Sequence, residues 1–217
     1  YVYAQTRPLS GCPRCAMEDQ TSSMENDFHS WLETVFTGTI RRNVRGLIGR
    51  DELDFYLPER NIAIEFNGLY WHSEERGKDR DYHHSKWKRC RDTGIQLITV
   101  WEDDWRDKRD IVTSMISHKI GVNDSRRVYA RNTTIVSLNY TDASHFLDSN
   151  HVQGEVPGSL YLGLKDGDDI VAVSVWRKNG HTLYLDRYAT STQVIGGMGK
   201  LLKAGKHWAK AHSVDKI

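Results

Sequence analysis

Cysteine is scarce in this chain, with three in 217 residues. Three thiols build no disulfide framework, which points to a reducing compartment. No apolar run approaches the roughly 18–20 residues of a membrane span, so no membrane partner is expected. The opening Tyr-Val-Tyr-Ala-Gln has neither the basic start nor the apolar run of a signal peptide. It also lacks a Met, which reads as the start of a fragment. Net charge is nearly absent, with 30 Lys/Arg against 29 Asp/Glu. Internal repeats and low-complexity segments are missing too. What is present suits a folded soluble protein: 38% hydrophobic and 27% charged residues, too apolar for disorder. At roughly 100–200 residues per domain, the length fits one large domain or two small ones.

The small net charge hides an uneven spread. Residues 1–124 hold 18 Lys/Arg and 21 Asp/Glu, whereas residues 125–217 hold 12 and 8. Such a balance does not exclude a nucleic-acid partner, because carboxylates gathered at a metal site offset basic patches in the total.

Three segments follow from the pattern along the chain. Residues 1–20 contain a Cys-x-x-Cys turn, Cys12 and Cys15. Two thiolates on a tight turn are half of a zinc ribbon and need two more ligands to close a tetrahedron around Zn²⁺. Either those ligands lie upstream, or His residues complete the site, or the pair is vestigial. Residues 21–120 read as α, β, β, β, α, β, α. A helix spans 21–36, with Phe28, Trp31, Leu32, Val35 and Phe36 at helical spacing. A strand or basic loop follows at 39–50, then strands at 52–57 and 62–66. A basic helix at 79–93 stops at Gly94, a buried strand occupies 95–101, and an amphipathic helix occupies 105–119. A linker at 121–124 leads to a second α/β domain, residues 125–217. Strands are expected there at 127–136, 159–165, 169–176 and 181–189, with helices at 141–149 and after Gly199.

The chemistry concentrates between Glu52 and His72. Asp54 lies on one strand and Glu65 near the end of the next, inside a run that otherwise reads as core. An acidic residue there is costly unless it is paired or binds metal. A hairpin brings the two carboxylates together, a donor set that suits a hydrated Mg²⁺ (or Mn²⁺) able to activate water. Glu102, Asp103 and Asp104 read more simply as acidic residues favoured at a helix N-terminus.

Asp54, eleven residues, then Glu65-x-Asn67 resembles the PD-(D/E)xK nuclease motif, with Asn where Lys is usual. The following Gly68-Leu-Tyr-Trp-His72 resembles the Gly-x-Phe-Trp-His of the very-short-patch repair endonuclease. The stretch through Gly94 to Trp105 looks like the phage and intron-associated homing endonucleases of that fold, the EDxHD class. The resemblance implies a restriction-endonuclease-like core, a mixed central sheet flanked by helices. It implies a catalytic set of Glu25, Asp54, Glu65, His72 and His83. Asp54 and Glu65 would hold Mg²⁺, and His72 would act as general base on water. The family's last Asp falls at His83, with Asp81 and His84 beside it; either His83 protonates or stabilises the leaving oxygen, or Asp81 supplies the carboxylate one turn away. Asn67 in place of Lys implies that a histidine stabilises charge instead. Beside such a motif, Arg41, Arg42, Arg45, Lys86, Lys88 and Arg89 read as phosphate contacts to double-stranded DNA.

In the second domain, Gln193-x-x-Gly196-x-x-Gly199 before a helix loosely resembles the pyrophosphate loop of GNAT-like acetyltransferases. The Asn150-His151-Val-Gln-Gly154 motif has no chemical role on sequence grounds. The expectation is therefore a Mg²⁺-dependent DNA endonuclease, monomer or homodimer, acting in the cytoplasm of a phage-infected bacterial cell. The alternatives are a catalytically inactive DNA-binding protein and an acetyltransferase-like modification enzyme built on residues 125–217.

Overall fold

The computed structural model describes residues 13–68 and 80–217, with side chains described from Ser23 in the first helix and from Tyr82 in the second. The chain divides into two compact units, Tyr1–Val122 and Asn123–Ile217, each of mixed α/β structure.

The first unit opens with helix α1 (Pro13–Val35) and a four-stranded sheet. Its strands run in the order β1 (Arg41–Ile48), β2 (Asp51–Leu57), β3 (Ile62–Asn67) and β4 (Gln96–Trp101). The β1–β2 and β2–β3 pairs are antiparallel, and β3–β4 is parallel through a crossover that carries helix α2 (Arg80–Asp92). Helices α3 (Glu102–Asp107) and α4 (Arg109–Lys119) follow.

The β2–β3 turn determines the register. Pro58 starts a short 3₁₀ turn, and Asn61 takes a left-handed conformation (φ 51°) that asparagine tolerates. The Tyr56 hydroxyl donates to Asn61 Oδ1 at 3.2 Å. Phe55 then pairs with Ile64 and Leu57 with Ile62, and one step further along the ladder sets Asp54 opposite Glu65. On one sheet face Phe28 of α1 meets Phe55, Phe66 and Trp105 at ring separations of 5.4, 5.5 and 5.0 Å. Each such pair adds about 0.5–1.5 kcal/mol beyond its buried area. Asp27 fastens this cluster: it accepts from Trp105 Nε1 at 3.0 Å and from both Arg109 η-nitrogens at 2.6 and 3.2 Å. Asp54 and Glu65 lie one residue away from Phe55 and Phe66 on their strands, so period-two alternation turns them to the other face, that of α2.

Helix α2 stops where glycine allows it. Gly94 is left-handed (φ 75°), and the Ile95 N–H donates back to the Cys90 carbonyl at 2.8 Å. Two boundaries differ from the sequence pattern. Helix α1 begins at Pro13, a residue preorganised for a first helical turn, so the backbone at Cys15 is helical where a Cys-x-x-Cys turn is expected. Cys12 lies outside the described residues. The expected 105–119 helix is two helices, broken at Lys108 (φ −133°, ψ 38°).

In the second unit, β6 (Thr134–Ser137), β7 (Leu160–Asp166), β8 (Asp169–Asn179) and β9 (Thr182–Thr190) form an antiparallel sheet in chain order. A separate parallel pair joins β5 (Arg127–Tyr129) to β10 (Gln193–Ile195). Helices α5 (Tyr140–Asn150) and α6 (Gly197–Ala211) complete the unit. The core centres on Trp176, which is fully buried and donates from Nε1 to Ser174 Oγ at 2.9 Å. A methyl on Gly205 of α6 would sit 3.1–3.2 Å from that indole, so a bare glycine lets the helix approach closely. The single strand expected at 127–136 is two strands in different sheets. The break at 130–133 is tied to α6: Lys200 Nζ donates to the Ala130 carbonyl at 2.7 Å and to the Thr133 carbonyl. No described helix is long and apolar enough to cross a membrane.

Candidate active site

The two carboxylates expected to act together do stand together. The Asp54 N–H donates to Glu65 Oε1 at 3.4 Å, and the Phe66 N–H donates to Asp54 Oδ2 at 2.9 Å. Glu65 is 7% exposed. The third member of the site is Lys86 of α2, 5% exposed, whose ammonium donates to Glu65 Oε2 in a buried ion pair.

The electrostatics follow from this crowding. Burial pushes Glu65 up to about 7, the Asp54 charge adds to that, and Lys86 opposes it. Burial likewise raises Asp54 above the ordinary carboxylate range, against the Phe66 N–H and the Lys86 charge. Burial lowers the Lys86 ammonium, but the charge and hydrogen bond of Glu65 outweigh it and leave Lys86 above its usual value. A buried and a half-buried carboxylate with one ammonium are thus short of positive charge, and each added cation relieves both partly desolvated acids.

One expectation is corrected here. Lys86 is not a DNA-facing residue, because it is buried against Glu65. It brings an ammonium from another element to the strand whose motif carries Asn67 in place of lysine. One signal pointed to it: α2 has few apolar residues, and Lys86 precedes Cys90, which is fully buried, by one helical turn. The inward stripe therefore had to include position 86.

Glu25 of α1 lies close enough for its charge to raise Asp54. It is paired with Arg42 at 2.9 Å, and the Arg42 guanidinium sits 5.6 Å from the Phe55 ring centroid. His83 stands beside Trp101 (6.2 Å between rings), whose Cα pairs with Asn67, two residues past Glu65. Among the described residues the buried Asn67 Nδ2 has no hydrogen-bond partner. His84 is exposed and stacks on Trp87. His72 lies outside the described residues.

The remaining basic residues assigned to DNA stay at the surface. Arg41 and Lys88 are exposed. Arg45 pairs with Glu52 at 2.5 Å, and Arg89 with Asp51. The exposed Arg45–Glu52 pair is worth little to stability, whereas Asp51 is only slightly exposed. Asp103 and Asp104 sit in the first turn of α3, and the Asp104 N–H donates to Asp103 Oδ1 at 3.0 Å.

Among the described residues no group of three or more His, Cys, Asp or Glu side chains converges as a metal cage. Asp54 and Glu65 still fit a hard divalent ion, which takes one or two carboxylates and retains water. In the second unit the glycine loop is occupied by protein. A methyl on Gly197 would lie 2.6 Å from the Tyr188 hydroxyl, so that side chain stands against the loop. The Asn150–Gly154 motif is a helix-ending turn. Asn150 Nδ2 donates to the Phe146 carbonyl, His151 Nδ1 accepts the Gln153 N–H, and Gly154 is left-handed (φ 64°).

Comparison with protein-family models, curated proteins and solved structures returns no match.

Proposed function

We propose that the chain is a divalent-metal-dependent DNA endonuclease of the restriction-endonuclease-like fold, a homing nuclease working in a phage-infected bacterial cell. The observation that carries this reading is the half-buried Asp54 beside the buried Glu65–Lys86 pair, on adjacent strands and a crossover helix. Asp54 and Glu65 would hold Mg²⁺ or Mn²⁺, which when bound polarises the phosphodiester and lowers the pKa of water. Lys86 holds Glu65 in place and supplies positive charge where negative charge builds on phosphorus-bound oxygens. Glu25, fixed by Arg42, adds a second layer of negative charge around Asp54. His72 takes the proton of the attacking water, and His83 stands ready to give one to the leaving oxygen.

Two other readings are weaker. A catalytically inactive DNA-binding protein is favoured by the ion pair itself, which partly neutralises the site without any ion. An acetyltransferase reading of residues 125–217 is disfavoured by the Tyr188 hydroxyl, which stands against Gly197 in the glycine loop. The test is cleavage of supercoiled DNA with Mg²⁺ or Mn²⁺. Asp54→Ala and Glu65→Ala should abolish it while DNA binding persists, and His72→Ala should slow single turnover by about 10²–10⁴-fold. Wild-type rates in the Asp54 or Glu65 variants with metal limiting would refute the assignment.

A further inference from the structure

Helix α6 presents two unlike faces. Leu201, Gly205 and Ala209 are buried against the sheet. On the opposite side Lys203, Lys206, His207 and Lys210 are exposed, at the i, i+3, i+4, i+7 spacing of one helical face. The helix contains no Asp or Glu. Among the described residues, none of the three lysines has an ion-pair or hydrogen-bond partner. Exposed Gly199 precedes Lys203 by one turn on the same face. A methyl there would meet nothing, so packing does not require glycine at that position.

We propose that this face of α6 is a docking surface for the phosphate backbone of duplex DNA. The proposal rests on the nuclease reading for the choice of polyanion and adds the surface that holds it. The charge is of one sign and set in a row. Lys203 to Lys210 covers about 10 Å at 1.5 Å per residue, matching about three 3.4 Å steps along a DNA strand. The face carries no apolar anchor. Leu201, Gly205 and Ala209 pack inward and the exposed Met198 lies off the lysine face, whereas a membrane-surface helix buries its apolar face in lipid. Lys200 takes no part, being tied to the Ala130 and Thr133 carbonyls. The surface therefore tracks phosphates and does not read bases.

The experiment measures binding of the full chain to a short duplex of arbitrary sequence in EDTA across a salt series. A Lys203→Gln/Lys206→Gln/Lys210→Gln variant is compared with the wild type and with the corresponding Lys→Arg variant. Replacing three phosphate contacts should lower the slope of log affinity against log salt by about 0.9 per lysine, and the arginine variant should restore it. Thermal melts should be unchanged, since the three residues are exposed. An unchanged slope overturns the proposal. So does binding to phosphatidylserine vesicles that the glutamine variant loses while DNA binding stays constant. Asp54→Ala is run in parallel. If cleavage is lost there but the lysine slope is flat, the docking surface fails and the nuclease reading stands. If the slope shifts but cleavage ignores Asp54, the nuclease reading fails and the surface stands.

Discussion

Helices α2 and α6 are both rich in Lys, Arg and His, yet they meet their sheets with opposite chemistry. Helix α2 turns Lys86 inward onto Glu65 of β3, and α6 turns glycine and leucine inward onto Trp176 of β8. The same residue type is a buried counter-ion in one helix and a solvated cation in the other. What decides is the strand beneath. Glu65 in a hydrophobic run needs a partner, because a lone buried carboxylate is too costly. Trp176 needs apolar surface and close approach, so α6 sends its lysines to water.

The largest effect expected from this contrast is on stability. Lys86→Ala should cost about 3–5 kcal/mol by leaving Glu65 buried and unpaired, as measured by denaturant unfolding. Pairing it with Glu65→Gln should recover much of that loss. Lys203→Ala in α6 should change stability by no more than about 0.5 kcal/mol. Equal costs at the two lysines would break the comparison.

The pH dependence sharpens it. Glu65 is raised from 4.5 to about 7 in the folded state, so the folded protein binds its proton more tightly than the unfolded chain. Its contribution to stability is present below the unfolded value and is lost as pH rises through about 7. In metal-free buffer the loss should reach up to about 3 kcal/mol, and Glu65→Gln should abolish it. Asp54, also raised, acts in the same direction. A metal-free stability that increases from pH 5 to pH 8 would contradict the buried arrangement.

A steric contact tests the other unit. Gly197→Ala places a methyl 2.6 Å from the Tyr188 hydroxyl and 2.9 Å from Val194 Cγ1. Overpacking of this kind costs about 1–3 kcal/mol. Adding Tyr188→Phe should restore part of the melting temperature. A smaller effect than this is expected at the rim of the first unit. Arg45→Ala removes an exposed pair with Glu52, for a stability change under about 1 kcal/mol, while weakening DNA affinity.

The elements of both units were legible in the sequence wherever period and punctuation agreed. The β2–β3 hairpin, the Gly94 stop and the β7–β8 turn are of this kind. The pairing of Asp54 with Glu65 was readable because a short turn between two strands leaves little freedom of register. The break at 130–133 was not, since it depends on Lys200, 67 to 70 residues away. The kink at Lys108 gave no signal in an otherwise amphipathic stretch. Lys86 was misread because a basic helix looks solvated when its partner strand is not considered.

By itself the sequence determined two α/β units, the carboxylate pair and the uneven charge of the two halves, because these depend on local periodicity, turn chemistry and composition. Only the tertiary structure decided which basic residues are buried and which are free, and that Tyr188 fills the glycine loop. Those outcomes depend on what lies across the interface. A charge is buried only where a distant strand offers the opposite charge, and a glycine loop is open only if no side chain reaches it first.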